Sequence, residues 1–277
     1  MKILFLTQFE EVDDFLLDFI HKINSQLPTD VELLHVINSY PEVPLQQDGT
    51  IIDFCSDFDL SALESSKKEK ESKAAQLMEA SPAINSASIS IGNLELVLKH
   101  KLSKNNYDFI VVGAHRTTVF EYFTHESVIN RIMEVSTLPV LSLKCDQSHN
   151  QGIENIGLFD EFKNDTTMPK LSALAKAMEA TVHLYFLTEK ELNAADSEER
   201  LKKMSAIAEA NHFEKYSTKI INLDGRNEEE AIMEALRKDQ LHLVAINQLH
   251  SHKFHWLVND SLKDNIANHV FAPLLIY

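Results

Sequence analysis

Glycine is scarce in this chain, with six in 277 residues. No stretch is rich enough in glycine to make a loop whose successive backbone N–H groups close on a phosphate. Cysteine is scarcer still. Cys55 and Cys145 stand alone with no CxxC-type spacing, which excludes a disulfide framework and a thiolate zinc site. No run of about 18 apolar residues occurs, so no membrane span is expected. The opening MKILFLTQFEEVDDF has one lysine and a short apolar run followed by acids, not the longer apolar region of a secretory signal. A cytoplasmic protein is expected. Positive charge is short as well. Before position 148 there are 12 basic against 22 acidic residues, and after it 14 against 20, so the halves carry −10 and −6 of a formal −16. With no basic run to offset this, the chain is repelled by nucleic acid and by anionic lipid, and neither is an expected partner.

What is present is ordinary for a globular protein: 44% hydrophobic and 25% charged residues, in a length that suits two domains of about 140 residues. Ile3–Leu6 is continuously apolar and too short for a helix, as a strand buried on both faces requires. Val12, Phe15, Leu16, Phe19, Ile20 and Ile23 then recur at helical spacing, and 31–37 is again strand-like. Residues 39–59, with Pro41, Pro44 and Gly49, predict a long loop. A charge-rich helix is predicted over 60–78, an alternating edge-type strand over 87–91, and a helix over 93–104. The strand 107–113, a helix over 127–136 and the strand 139–143 close the first half. The second half predicts strands at 154–159, 181–187, 217–223, 241–246 and 273–277, with helices at 167–179, 196–211, 227–238 and 259–269. Such alternation implies an α/β fold: in each half, five parallel strands with helices on both faces. The expected domains are 1–146 and 152–277, joined by a polar linker.

The halves also match in spacing. With Gly113 set over Asn247, Ser127 falls over Ser261, both 14 residues on, and Pro139 over Pro273, both 26 residues on. Glu126 and Asp260 precede the two serines. Agreement at several polar or special positions, flanked by apolar strands, points to an internal duplication.

The stretches YDFIVVGAH, ES and STLPVLSLK, together with ELLHVIN, resemble the universal stress protein family, and the resemblance spans both halves. It implies two Rossmann-like domains whose fifth strands, 139–143 and 273–277, pair within the chain as a pseudo-dimer, and it leaves room for a homodimer. Many members of that family bind ATP through G-x2-G-x9-G-[ST] after the fourth strand, with an acid at the end of the first. On this chain those loop positions are Gly113, Arg116, Glu126 and Ser127 in the first half, and Asn247, His250, Asp260 and Ser261 in the second. Thr7 and Asp160 stand at the ends of the two first strands, and Val36 lies in the histidine-containing strand. One glycine of three survives in the first loop and none in the second.

Glu126 and Asp260 stand where a phosphate rests in nucleotide-binding members. A carboxylate about 4 Å from a phosphate charge costs roughly 4 kcal/mol at an effective dielectric near 20, whereas the same acid stabilises a bare helix N-terminus by about 0.3–1 kcal/mol. The expectation is a non-enzymatic regulatory or stress-response protein without a cofactor, acting on a protein partner that the sequence does not identify. The alternative is a switch that binds a small ligand or a nucleotide, ATP or AMP, in one of the two domains. No catalytic triad stands out. His250, His252 and His255 lack a second cluster that would complete a metal site, so no metal is expected. His35 is expected to be a satisfied, half-buried histidine.

Overall fold

The computed structural model describes residues 1–9, 12–40, 43–52, 59–114, 128–144, 153–162, 168–226, 228–246 and 273–277. They fall in two compact units, one running to Lys144 and the other from Ile153. No helix among the described residues is long and apolar enough to cross a membrane.

The first unit runs β1 (Lys2–Leu6), α1 (Val12–Gln26), β2 (Asp30–Asn38), α2 (Ser61–Ala80), β3 (Ile84–Gly92), α3 (Leu94–Lys104), β4 (Phe109–Ala114), α4 (Val128–Val135) and β5 (Val140–Lys144). Its sheet has the order β3-β2-β1-β4-β5, and every pairing is parallel. Right-handed crossovers then put α1 and α2 on one face and α3 and α4 on the other. Ile3, Leu4 and Phe5 are buried, as a central strand covered on both faces demands. On one helical face Glu95 of α3 accepts a hydrogen bond from Arg131 of α4. That guanidinium holds the Glu95 carboxyl below its ordinary range despite partial burial.

The stretch 39–59, expected to be loop, contains structure. Residues 45 and 51 form an antiparallel bridge, and Thr50 bridges Gly92 at the end of β3. Val43 and Ile51 are buried with Ile91, and Ile37, Leu45, Leu60 and Leu63 pack against them. The approach is very close. A Cβ added to Gly92 would lie 2.0 Å from the Gly49 carbonyl oxygen, and Gly49 itself takes φ +82°. The two glycines permit the contact, a signal that loop-like composition concealed.

The second unit repeats the order: β6 (Asn155–Phe159), α5 (Pro169–Ala177), β7 (Thr181–Thr188), α6 (Ala194–Ala210), β8 (Tyr216–Asn222), α7 (Glu228–Lys238), β9 (Leu243–Ile246) and β10 (Leu274–Ile276). Its parallel sheet has the order β10-β9-β6-β7-β8. The helix expected over 259–269 and the linker expected at 146–152 lie outside the described residues. Both units start their first strand alike. The backbone N–H of Lys2 donates to Asp108 Oδ2 (2.8 Å), and that of Asn155 donates to His242 Nδ1 (3.2 Å). Asp108 and His242 each directly precede the fourth strand of their unit.

Candidate functional site

In an open parallel sheet of this order, ligands enter the crevice at the carboxyl ends of the strands, where the strand order reverses. That point lies between β1 and β4 in the first unit and between β6 and β9 in the second. The register Leu6↔Val112 brings Thr7 beside Gly113, and Phe159↔Ile246 brings Asp160 to the matching place.

Thr7 is fully engaged by its own chain. It is 3% exposed. Its N–H donates to the Leu34 carbonyl (3.0 Å), and its carbonyl accepts from His35 Nδ1 (2.7 Å). Because a carbonyl can only accept, that bond fixes the proton on Nδ1 and makes His35 the satisfied, half-buried residue expected. Thr7 Oγ accepts from the Phe9 N–H (2.9 Å), closing a short side-chain turn at the end of β1. Phe9 takes φ 58° and is 8% exposed. Its ring lies 5.3 Å from that of His35. Lys70, on α2, stands 5.8 Å from the Phe9 ring centre and donates to the Gln8 carbonyl (3.2 Å).

The second unit repeats this constellation with different residues. Asp160 Oδ1 accepts from the Phe162 N–H (3.3 Å), and Phe162 takes φ 49° while only 1% exposed. Arg200, on α6, donates to the Glu161 carbonyl (3.3 Å) and lies 4.1 Å from the Phe186 ring centre. A bulky residue in the left-handed region is uncommon and strained, and here it occurs twice at one fold position. In each unit the turn drives a phenylalanine into the protein beside the crevice, and a cation from the second helix ties the turn's carbonyl. The second unit adds a closure of its own. Tyr277, which follows β10, donates its hydroxyl to Asp160 Oδ2 (2.8 Å), across the end of β9. Burial pushes the Tyr277 phenol well above its ordinary pKa, and the Asp160 charge and hydrogen bond push it further.

Of the other expected site residues, Val36 is half-buried in β2 opposite Ser90 of β3 and projects from the opposite face to His35. Gly113 is the penultimate residue of β4, paired with Leu143. Arg116, Glu126, Ser127, Asn247, His250, Asp260 and Ser261 lie outside the described residues, as do His252 and His255. No group of three metal-ligating side chains occurs among the described residues. Sequence reasoning missed Phe9, Phe162, Lys70, Arg200 and Tyr277. A signal was available: T-Q-F and D-E-F each follow the first strand of a half. These triplets are 153 residues apart, against 134 for Gly113 and Asn247, so the ungapped match of the later strands does not align them.

No family model and no curated protein matches the chain. Solved structures do. A universal stress protein from Archaeoglobus fulgidus DSM 4304 superposes with a TM-score of 0.67 at 16% identity, over 99% of this chain and 97% of that one. A protein from Pseudomonas aeruginosa UCBPP-PA14 described as of the same family gives 0.54 at 11% identity, over 99% and 92%. The cytoplasmic domain of a prokaryotic cation chloride cotransporter gives 0.52 at 11%, over 99% and 94%. At these identities the likeness establishes the fold: the chain has the α/β fold of universal stress proteins.

Proposed function

We propose that this chain is a non-enzymatic regulatory protein of the universal-stress-protein type, which works through protein contacts and holds no nucleotide in either unit. The observation that carries this reading is the duplicated turn. In both units the residue ending the first strand turns its polar side chain onto its own backbone, and a buried phenylalanine follows two residues later. Asp160, the one acid at a first-strand end, has both carboxylate oxygens hydrogen-bonded within the unit, to the Phe162 N–H and the Tyr277 hydroxyl. A nucleotide hydroxyl seeking that carboxylate meets oxygens already engaged by the Phe162 N–H and the Tyr277 hydroxyl, and displacing Tyr277 leaves its buried phenol without a partner, which costs about 1–3 kcal/mol.

The replacement of loop glycines supports the same reading from the sequence. Arg116 and Glu126 stand at glycine positions of the first loop, and Asn247, His250 and Asp260 at those of the second. The test is direct. The purified chain is denatured and the released small molecules are identified and quantified. The proposal expects no stoichiometric nucleotide. One adenine nucleotide per chain would replace it with a nucleotide-bound switch.

A further inference from the structure

The outermost strand of the second sheet, β8, carries a row of backbone groups that the sheet does not use. Two bonds fix its parity. Val182 N–H donates to the Lys215 carbonyl (2.9 Å), and Leu223 N–H donates to the Thr188 carbonyl (2.9 Å). With the parallel register Val182↔Tyr216 through Thr188↔Asn222, the odd-numbered residues of β8 bond to β7. The N–H and C=O groups of Tyr216, Thr218, Ile220 and Asn222 therefore point away from the sheet. Among the described residues one of these groups has a partner: the Asn222 carbonyl accepts from the Arg226 guanidinium (2.9 Å), which leaves its second lone pair open. The first unit treats its own outer strand differently. There Ile51 N–H donates to the Ile91 carbonyl (2.9 Å) and Asn93 N–H to the Gly49 carbonyl (2.9 Å), so the 43–52 segment meets the end of β3. The matching connection in the second unit, 189–193, is too short to double back along β8.

We propose that β8 is a dimerisation edge, which pairs antiparallel with β8 of a second copy about a two-fold axis through Lys219. In that register Tyr216 faces Asn222 of the second copy and Thr218 faces Ile220, and both are hydrogen-bonded pairs. Every outward donor and acceptor on both strands is then used, in eight hydrogen bonds (two for each of the four facing pairs). No residue is left over, which is the self-complementarity that a two-fold interface requires.

Charge sets the same direction. The exposed Lys215, which also donates to the Glu179 carbonyl (3.3 Å), stands at one end of the row and the exposed Asp224 at the other, so an antiparallel copy sets Lys215 one residue from Asp224 of the second copy, with that Asp224 opposite Glu214. A parallel copy would set like against like. The neighbouring Glu214 and Arg226 are already ion-paired, with Lys176 and Glu234. On the axis the two Lys219 side chains face each other, but each is held by its own Asp239. At about one hydrogen bond per 100–200 Å², eight bonds correspond to roughly 800–1,600 Å², which reaches the lower bound of about 1,200 Å² for a specific interface. Tyr216, Thr218, Ile220 and Ile221 are all residues that favour strands. This surface is separate from the fifth strands that the family resemblance marks for pairing.

Light scattering over a concentration series, with two variants, tests the proposal. Wild-type mass should rise from 31.5 kDa toward twice that value with concentration. Ile220→Pro should hold the mass at the monomer value, because it removes an outward N–H and leaves the β7 ladder intact. Lys219→Cys, made with Cys55→Ser and Cys145→Ser, should oxidise to a covalent dimer. An antiparallel non-hydrogen-bonded pair sets its Cα atoms about 4.5 Å apart, within disulfide reach. A wild-type chain that stays monomeric at about 100 µM would overturn the proposal. So would a dimer that persists in Ile220→Pro while the Lys219→Cys chain gives no cross-link. Should Ile220→Pro fail to fold, the cross-link decides alone.

Discussion

Phe162 offers the sharpest perturbation of the strand-end turn, because its burial and its backbone conformation pull a substitution series in different directions. The ring is 1% exposed at φ 49°. Truncation to alanine removes a fully buried aromatic side chain and should cost about 3–5 kcal/mol. Replacing that alanine with glycine ordinarily costs a further 0.5–1 kcal/mol or so, through the entropy of the unfolded chain. In the left-handed region, however, a Cβ costs about 1–2 kcal/mol, which glycine does not carry. The usual order should therefore reverse, leaving Phe162→Gly about 0.5–1 kcal/mol more stable than Phe162→Ala. At a urea dependence of about 1–3 kcal/mol/M this separates their midpoints by roughly 0.2–1 M, within reach of fluorescence-detected unfolding. A glycine variant less stable than the alanine variant by the ordinary margin would refute the left-handed turn. An alanine variant that loses less than about 1 kcal/mol would refute the buried ring.

Three further outcomes follow from the same structure. Tyr107, Tyr185 and Tyr277 all have phenols raised above 10.0, chiefly by burial and then by a neighbouring carboxylate. The folded state thus keeps protons that the unfolded state loses above pH 10, and stability should fall from that pH upward at about 1.4 kcal/mol per pH unit for each group. Urea titrations from pH 8 to 11 measure this slope, and Tyr277→Phe should reduce it while costing about 1–3 kcal/mol at neutral pH. Burial, with the nearby Lys219 charge, lowers the His183 pKa below 6.5. The unfolded chain then binds the proton more readily, so stability present above pH 6.5 should decline as the pH falls, and His183→Gln should flatten that decline in unfolding measured from pH 7.5 to 5. Gly92→Ala should cost about 1–3 kcal/mol by forcing the Gly49 carbonyl away, and hydrogen exchange should show the 43–52 segment losing protection.

The strands were the most legible part of the sequence, for a physical reason. Ile3–Leu6 and 241–246 are short apolar runs that only a sheet covered on both faces accommodates, and they form β1 and β9. The alternating 87–91 segment marked an outer strand, and β3 is the outermost strand of its sheet. The 39–59 stretch was not legible, because its proline and glycine content is that of a loop, while its structure depends on pairing with Gly92 some 40 residues away. The strand-end turns were hidden differently. Nothing about Phe9 or Phe162 as residue types announces a positive φ. Among the described residues, the side-chain bonds from Thr7 and Asp160 and the cations Lys70 and Arg200, arriving from a distant helix, hold the two turns. Tyr277 was visible as the tail of a strand, but its reach to Asp160, 117 residues earlier, belongs to the folded sheet.

The central proposal is that neither unit holds a nucleotide. Thermal unfolding with and without ATP, ADP and AMP, each with magnesium, tests this most directly. A nucleotide at 100 times its dissociation constant would add about 2.7 kcal/mol and raise the midpoint by several degrees. The account predicts no change in midpoint with any of the three. A reproducible rise would show that the chain binds nucleotide, and would contradict that proposal.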